Sequence, residues 1–439
     1  MSRPMVERRR RRSFLFVTIF CDNREVMTGD SPSIVLSYEH AAAVVGREAE
    51  QLLAEAPAKR GVERVPLEAA AGRVLAEAVK ADRDQPPFSR ATRDGFACRV
   101  ADLLAGGLKV VAQLRAGEAW TLGAIRPGEA VEIMTGAAVP PGADCVVMLE
   151  HIATTAEWIS LAEKREIAAG ENIVPAGAEA KSGDAVVGAG HRLTANAIAA
   201  AAACGGVELP VFSHPRVAIL ATGDELVDVR DQPLAHQIRN SNSWSLAVQV
   251  RGAGGEPVMM PIVRDERAAT VRAIRNAADC DLILLTGGVS MGKFDFVEQA
   301  LVELGAEFLF TGAKIQPGKP VVFGKLPGVH FLGLPGNPLS TMVTFALFGA
   351  PLVRALGGES EHRPQIGMAK LEEEVKVTAG LTRFLPARVT SSVRGARVKR
   401  IAWQGSGDLA AGARANGFLI VPETAGRLAA GEVVSVLVI

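Results

Sequence analysis

The sequence has few of the residues and motifs from which disulfide frameworks, metal centres and common nucleotide sites are built. Its 5 cysteines are scattered over 439 residues without a CxxC pair, and its 7 histidines have no metal-like spacing. This pattern argues against a disulfide scaffold and a zinc site, and it favours a reducing cytosol. The sequence also lacks a GxSxG elbow, a GxxxxGK[ST] loop and a GxGxxG fingerprint.

A charge excess of either sign is missing as well, because 48 basic residues balance 48 acidic residues. A neutral chain gives no electrostatic reason to expect binding to nucleic acid or to an anionic membrane surface. No run is long and apolar enough to predict a membrane span. Any anion-binding site must therefore be local. The length predicts about two to four domains rather than one core.

The N-terminus combines a basic run with a short apolar run, "ERRRRRSFLFVTIF", which is the order found in a secretory signal. The apolar run is short, however, and it meets Cys21 and Asp22 without a small-residue cleavage pattern. We therefore interpret residues 1–36 as a disordered extension or a mis-assigned start, with Met27 as a candidate first residue.

The pattern of apolar residues predicts an α/β multidomain protein. Residues 37–56 carry apolar residues at helical spacing after Ser37, a predicted N-cap. Residues 82–184 are short apolar pieces separated by Gly and Pro, which is typical of a small β-rich domain. From His214 strands alternate with helices, which predicts a parallel sheet covered on both faces. After about Glu361 the strands become short again and predict a C-terminal β domain.

Two strand-to-helix turns suggest the functional site. The stretches "LILLTGGVSMGKFDF" (282–296) and "FLGLPGNPLST" (331–341) both run from an apolar strand through a glycine turn into a helix. Glycines allow close approach of the backbone to a ligand, and N–H groups at a helix start hold phosphate oxygens. Asp295 beside such a phosphate site predicts a bridging Mg²⁺. The alternative is that Asp295 is an ordinary acid in a first helical turn.

Further acids follow strands at the same predicted edge of the sheet. Asp224 and Glu225 end one strand in "ATGDEL", and Asp265 follows the next strand. Solvated turns and an N-cap are the alternative interpretations of these acids. In the β-rich region Asp94 and Thr135 lie at glycine turns, and only the fold decides whether they approach the sheet.

These motifs, in this order, resemble the molybdopterin molybdenumtransferase family, which comprises the MoeA proteins and the related E domain of gephyrin. The resemblance covers about residues 37–439 and rests on "FSRATRDGFA", "IMTGAAVPPGADCVV", "GENI", "ATGDEL", "LTGGVSMGKFDF", "QPGKPVVFGK" and "LPGNPLS". It implies an elongated homodimer of four-domain subunits. These are a discontinuous domain I (37–82 and 183–213), a β-rich domain II (83–182), a molybdopterin-binding α/β domain III (214–358) and a C-terminal β domain IV (359–439).

The resemblance implies a cytoplasmic enzyme that inserts molybdate into adenylylated molybdopterin, with Mg²⁺-dependent release of AMP. It implies a composite active site in the homodimer and a molybdopterin adenylyltransferase that supplies the substrate. It assigns catalysis to Asp94, Thr135 and Glu225, and metal binding to Asp265 and Asp295. The remaining assignments are substrate binding by Thr222, Gly223, Asp224, Gly287, Gly288, Ser290, Pro335, Gly336 and Asn337, and molybdate binding by Lys319, Ser340, Arg388 and Ser406.

The sequence departs from the family pattern at several positions. Arg93 adds a cation beside Asp94. Pro175 and Glu179 alter the segment after "GENI", and Gln316 stands where relatives carry lysine. Two other functions stay open at this point. One is the adenylyltransferase itself, which shares the α/β domain but usually lacks the β-rich and C-terminal domains. The other is a non-catalytic scaffold of the gephyrin kind.

Overall fold

The computed structural model describes residues 34–162, 165–288 and 296–439. Its α-helices, in chain order, are α1 Tyr38–Lys59, α2 Val100–Ala105, α3 Ala195–Ala203, α4 Ser241–Gly252, α5 Arg267–Asn276, α6 Phe296–Glu303, α7 Pro338–Thr344, α8 Ala350–Leu356 and α9 Leu409–Arg414. Shorter helical turns are the 3₁₀ turns Leu67–Ala69 and Leu149–His151 and the π turn Phe345–Gly349.

The strands fall into an N-terminal and a C-terminal group. The first group is β1 Val35–Leu36, β2 Val62–Pro66, β3 Val79–Lys80, β4 Arg90–Ala91, β5 Gly95–Cys98, β6 Leu108–Leu114, β7 Glu129–Ile133, β8 Cys145–Met148, β9 Ile152–Thr155, β10 Trp158–Leu161, β11 Ile173–Val174, β12 Ala185–Val187 and β13 Glu208–Phe212. The second group is β14 Arg216–Ala221, β15 Leu226–Val227, β16 Ile238–Arg239, β17 Glu256–Met259, β18 Leu282–Thr286, β19 Glu307–Phe310, β20 Gly312–Ala313, β21 Ile315–Gln316, β22 Val322–Leu326, β23 Val329–Leu334, β24 Ile366–Leu371, β25 Val375–Lys376, β26 Thr382–Ser392, β27 Gly395–Arg400, β28 Gly417–Val421, β29 Arg427–Leu428 and β30 Val433–Val438.

The first helix confirms the predicted cap. Ser37 Oγ accepts a hydrogen bond from His40 N at 3.2 Å, which satisfies one of the N–H groups that a helix start leaves free. The buried face of α1 includes Ala41 and Val45, and it joins the core of the α/β domain. The helix therefore packs against residues that follow 214, although the resemblance groups it with domain I.

A small unit is built from the two separated segments that surround the β-rich domain. Strands β2 and β13 pair antiparallel, as do β3 and β12, and α3 packs on them. Helix α3 ends next to a glycine: Gly205 has φ 78°, a left-handed conformation that glycine adopts without strain. Its core consists of Val65, Ala70, Leu75, Val187, Leu193, Ala197, Ala201, Leu209 and Val211.

The predicted β-rich domain contains a six-stranded sheet in the order β8-β5-β7-β6-β10-β9. Strands β5 and β8 place Cys98 directly opposite Cys145, with the two Sγ atoms 3.6 Å apart and both side chains buried. The hydrogen bond to Cys145 and burial raise the pKa of Cys98, which keeps it a thiol. The sequence did not indicate this pair because the two cysteines are 47 residues apart.

The α/β domain contains a six-stranded sheet in the order β17-β14-β18-β23-β22-β19. The first four strands are parallel, as predicted, whereas β22 and β19 pair antiparallel at one edge. Strand β22 is antiparallel to β23 because only the two residues Pro327 and Gly328 join them, and a two-residue turn can join only antiparallel strands. Helices α5 and α6 cover one face of the sheet, and α1, α4, α7 and α8 cover the other.

In contrast to the expectation from the sequence, one described helical stretch, Pro338–Leu356, is long and apolar enough to cross a membrane. It comprises α7, the π turn and α8, and 83% of its most apolar window is buried inside the protein. Burial to this extent is also expected for a core helix of a folded domain.

The C-terminal domain is a closed β-barrel, which agrees with the predicted β domain. Strands β26, β27, β24, β30 and β28 pair in succession, and β28 pairs again with β26 to complete the circle. Strand β21 of the preceding domain adds parallel to β26, so that Gln316 pairs with Arg383. This pairing and the adjacent α7 to α9 contact attach the barrel to the α/β domain.

A buried ion pair links the small unit to the α/β domain. Arg192 donates from Nε and from a terminal nitrogen to the two carboxylate oxygens of Glu359, at 2.9 and 2.5 Å, and Arg192 also donates to Gly72 O and Ala253 O. The Glu359 side chain is only 8% exposed. Removal of one partner from such a pair leaves an uncompensated buried charge.

We therefore predict that Glu359→Gln lowers the free energy of unfolding by about 2 kcal/mol. The control is Glu55→Gln, which breaks the exposed i,i+4 pair with Lys59 and should leave stability nearly unchanged. Denaturant titration of both variants decides the matter. Equal stability of the two variants would contradict a structural role for the buried pair.

Candidate active site

The carboxyl ends of β14 and β18 open into a cleft of about 340 Å³, together with the turn that follows β23. This is the edge of a parallel sheet at which ligands usually bind. The side chains and backbone around the cleft come from three parts of the fold: the sheet edge, the start of α4, and the barrel loop before α9. They are Ala221, Thr222, Glu225, Leu226, Ile238, Arg239, Asn240, Ser241, Asn242, Thr286, Gly287, Gly336, Asn337, Pro338, Gly407 and Leu409.

The two glycine turns predicted as a site lie against each other. A Cβ added to Gly336 would be 3.7 Å from the Cα of Gly287. Gly287 has φ 89°, and a side chain there would approach the carbonyl oxygen of Thr222 to 2.4 Å. Only glycine therefore fits at position 287, and the bare backbone of the turn is available to a ligand.

The side chain of Asn242 joins these two turns. Its Nδ2 donates to Thr286 Oγ1 at 2.9 Å and to Gly336 O at 2.8 Å. The sequence analysis missed this residue, because an asparagine in a first helical turn is ordinarily a local cap. The signal was available in "NSNS", where Asn240 already caps the helix by accepting from Ser243 N, so a second asparagine had no capping role.

Thr222 lies beneath the glycine turn with an unsatisfied hydroxyl. The residue is 3% exposed, and its Oγ1 has no hydrogen-bond partner within the described residues. The hydroxyl lies 2.8 Å from the position that a Cβ at Gly288 would take. A buried polar atom without a partner costs free energy, and a bound water, ion or ligand is a usual explanation for such an atom.

Three predicted acids meet at this sheet edge. Asp224 Oδ1 accepts from the N–H of Asp265 at 3.3 Å. Burial raises the pKa of the Asp265 carboxyl, and the negative charges of Asp224 and Glu225 raise it further. The alternative interpretation of Asp265 as an N-cap is wrong. The N-cap of α5 is Glu266, and the Glu266 side chain makes no capping hydrogen bond. The carboxylate of Asp265 is therefore not used to begin the helix.

The sequence predicts metal binding at this edge by Asp265 and Asp295. Among the described residues, no group of three or more His, Cys, Asp or Glu side chains is arranged to hold a metal ion. Two predicted residues, Ser290 and Asp295, lie outside the described residues. Asp224, Glu225 and Asp265 supply hard oxygen ligands, the type that Mg²⁺ prefers.

The barrel contributes a loop to the cleft. Ser406 Oγ accepts from Asn337 Nδ2 at 2.8 Å, and Ser406 O accepts from Leu339 N at 2.9 Å. Asp408 shapes this loop by accepting from Gln404 N and from Ala411 N. The fold thus brings together two residues, Asn337 and Ser406, that lie 69 positions apart in the sequence.

The other residues predicted to contact molybdate are more spread out. Ser340 is buried in α7, and the "QPGKP" loop packs against the next turn of that helix, since a Cβ at Gly318 would approach Thr344 to 2.5 Å. Lys319 follows in this loop and is exposed. Arg388 is also exposed. It lies opposite Lys399 in the register of strands β26 and β27, on the outside of the barrel.

Asp94 and Thr135 form a hydrogen-bonded pair in the β-rich domain. The Asp94 Oδ1 accepts from Thr135 N and from Thr135 Oγ1, both at 2.7 Å. These two bonds lower the pKa of the Asp94 carboxyl, so it is ionised at neutral pH. Both residues are exposed, and none of the described residues that line the cleft belongs to this domain.

Comparison with known proteins gives the same domain order. Residues 36–205 match the MoeA N-terminal region (domain I and II), 218–355 a probable molybdopterin binding domain, and 368–439 the MoeA C-terminal region (domain IV). The chain is 33% identical to a molybdopterin molybdenumtransferase of Staphylococcus aureus over 380 residues, which cover 85% of this chain and 90% of the relative.

Further relatives agree with these matches. The chain is 37% identical to a molybdopterin molybdenumtransferase of a Nostoc species over 320 residues, which cover 70% of this chain and 72% of the relative. The crystal structure of the molybdopterin biosynthesis moeA protein from Pyrococcus horikoshii OT3 superposes with a TM-score of 0.72 at 28% identity, and the match covers 92% of this chain and 100% of that one.

The unsatisfied hydroxyl of Thr222 gives a prediction about stability. Thr222→Val replaces a buried, unpartnered hydroxyl by a methyl group and should raise the free energy of unfolding by about 1 kcal/mol. In contrast, Thr344→Val removes a buried hydroxyl that donates to Ser340 O at 2.7 Å, and it should lower stability by about 1 kcal/mol. Chemical denaturation measures both, and a loss of stability in Thr222→Val would contradict the unpartnered hydroxyl.

The Asp94 pair gives a prediction about titration. Thr135→Val removes the hydroxyl donor but keeps the N–H, so the pKa of Asp94 should rise part of the way towards its ordinary value. Because the folded-state pKa is the lower one, the stabilisation is present above the unfolded pKa and is lost as pH falls through the folded pKa. Thr135→Ser retains both donors and is the control. Carboxyl ¹³C titration checks this, and an unmoved pKa in Thr135→Val would refute it.

Proposed function

The chain belongs to the molybdopterin molybdenumtransferase family of molybdenum cofactor biosynthesis enzymes, and we propose that it inserts molybdate into adenylylated molybdopterin with Mg²⁺-dependent release of AMP. One observation carries this proposal: two glycine turns, braced by Asn242, meet a barrel loop around one cleft at the sheet edge. Matches to both the N-terminal and C-terminal MoeA regions favour this activity over that of the adenylyltransferase.

Different residues of the cleft contact different parts of the substrate in this proposal. The backbone at Gly287 and Gly336 lies open to phosphoryl oxygens of the substrate, which glycine makes accessible. The hydroxyl of Thr222 is free to donate to the same ligand. Asn337 and Ser406 hold the barrel against the cleft, so that the substrate is enclosed by two domains. The remaining substrate-binding assignments, Gly223, Asp224, Gly288, Ser290 and Pro335, stay part of this proposal.

Molybdate is a dianion, and its binding needs charge or several aligned donors, since desolvation of an unpaired anion is expensive. We assign this role to Lys319 and Ser340, which lie on a loop and helix that pack together, and to Ser406 and Arg388 of the barrel. The exposed side chain of Lys319 is able to reach a small oxyanion. Gln316 provides one charge fewer than the lysine of relatives.

The acids at the sheet edge supply oxygen ligands of the type that Mg²⁺ prefers. Asp265, with Asp295, would hold Mg²⁺, because burial and the negative charges of Asp224 and Glu225 raise the pKa of Asp265, and a cation there would favour its carboxylate. When bound, Mg²⁺ would neutralise charge on the phosphoryl oxygens of the adenylate. Glu225 lines the cleft, and we assign it to the catalytic residues of the proposed reaction.

We further propose that the active site is shared between two subunits of a homodimer. Asp94 is held ionised by Thr135, yet neither residue lines the cleft of its own chain. A second copy that presents its β-rich domain to the cleft would supply this carboxylate to the reaction. The four described cysteines are free, which fits the cytoplasmic location that we propose, with the adenylyltransferase as the source of substrate.

Mixed dimers test both proposals together. Asp94→Asn and Asp265→Asn should each abolish molybdate-dependent AMP release as pure homodimers while folding normally. In a mixed dimer, one of the two sites receives both wild-type residues, so we expect about half of the wild-type activity. The assay supplies adenylylated molybdopterin, Mg²⁺ and molybdate, and it measures AMP by chromatography.

Circular dichroism and the elution volume of each variant serve as controls for folding and assembly. Purified mixed dimers without activity would show that both residues act within one chain. An inactive wild-type protein would instead contradict the proposed reaction itself.

A further inference from the structure

The first turn of α4 forms one wall of the cleft and contacts the glycine turns through Asn242. The helix has 12 residues, and its N-cap Asn240 accepts from the N–H of Ser243 at 3.2 Å. The N–H groups of Ser241 and Asn242 precede the hydrogen-bonded ladder of the helix and have no acceptor in it. The positive end of the helix dipole therefore faces the cleft, where it favours an anion.

Arg239 supplies a full positive charge at the same wall. Strand pairing of β15 with β16 sets Arg239 opposite Val227, and its Nε donates to Asp231 O at 3.2 Å. Its two terminal nitrogens have no hydrogen bond or ion pair within the described residues. A guanidinium fixed through Nε presents its remaining N–H groups as a fork, the geometry that binds phosphate oxygens in pairs.

The charge balance of the cleft makes this cation important. Of the described residues that line it, Glu225 is the one acid and Arg239 is the one base. A phosphorylated ligand that enters the cleft meets the charge of Glu225 and needs a positive charge to offset it. At the sheet edge of the cleft, the buried hydroxyl of Thr222 has no hydrogen-bond partner within the described residues.

We propose that Arg239 and the first N–H groups of α4 form a phosphate subsite of the cleft, with Thr222 as a donor from the sheet edge. The inference rests on the proposed function and deepens it, since an adenylylated substrate carries more than one phosphoryl group. The glycine turns hold one such group, and the α4 wall holds another. Arg239 then selects the phosphorylated form of the substrate over an unphosphorylated one.

Calorimetric titration of the purified full-length protein with inorganic phosphate and with inorganic pyrophosphate tests the subsite. We expect Arg239→Gln to weaken binding of both probes by roughly tenfold or more, the effect of losing charge-assisted hydrogen bonds. Arg239→Lys keeps the positive charge but loses the forked N–H groups. Its affinity for both probes should lie between that of the wild type and that of Arg239→Gln. Thr222→Val should weaken binding by a smaller factor.

The matched control is Arg251→Gln, which removes a charge from the last turn of the same helix. It should leave phosphate and pyrophosphate binding unchanged. Equal binding by wild type and Arg239→Gln, an equal loss in Arg251→Gln, or no binding by wild type would each overturn the subsite.

The AMP-release assay separates the two proposals. A wild-type protein that binds phosphate through Arg239 but releases no AMP would contradict the reaction alone. An Arg239→Gln variant with wild-type phosphate binding and unchanged kcat/KM would contradict the subsite alone.

Discussion

The hydrogen bonds of Asn242 are the constraint on which the cleft depends. One amide group holds the ends of two neighbouring strands together, at Thr286 and at Gly336. The turn after β18 needs glycine, because Gly287 has φ 89° and a side chain there would collide with Thr222 O, and a turn without side chains has no packing of its own to fix its position. The Asn242 side chain from α4 therefore fixes the position of the glycine turns in place of side-chain packing. It also connects these turns to the wall of the cleft that carries Arg239.

The domains around this cleft contribute in different ways. The parallel part of the sheet fixes where the turns end, and the barrel closes the site through the bond between Asn337 and Ser406. The β-rich domain carries its ionised Asp94 away from the cleft of its own chain. The site shared between two subunits that we propose would account for this separation without a large movement within one subunit.

Local features of the fold were predictable from the sequence, whereas contacts over long distances were not. The cap at Ser37, the parallel strands of the α/β domain and the glycine turn after β18 follow from spacing and turn chemistry, and the structure contains them. The cross-strand pair of Cys98 and Cys145 and the role of Asn242 depend on strand register and on packing between elements, which no local pattern encodes. The resemblance to known relatives supplied the roles of Asp94 and Thr135, which look like ordinary turn residues by themselves.

The most direct test of the account is the molybdate dependence of AMP release by the wild-type protein. With adenylylated molybdopterin and Mg²⁺ present, we expect AMP to form only when molybdate is added, in equal amount to the molybdenum cofactor produced. AMP release that is independent of molybdate, or cofactor formation without AMP, would contradict the proposed reaction.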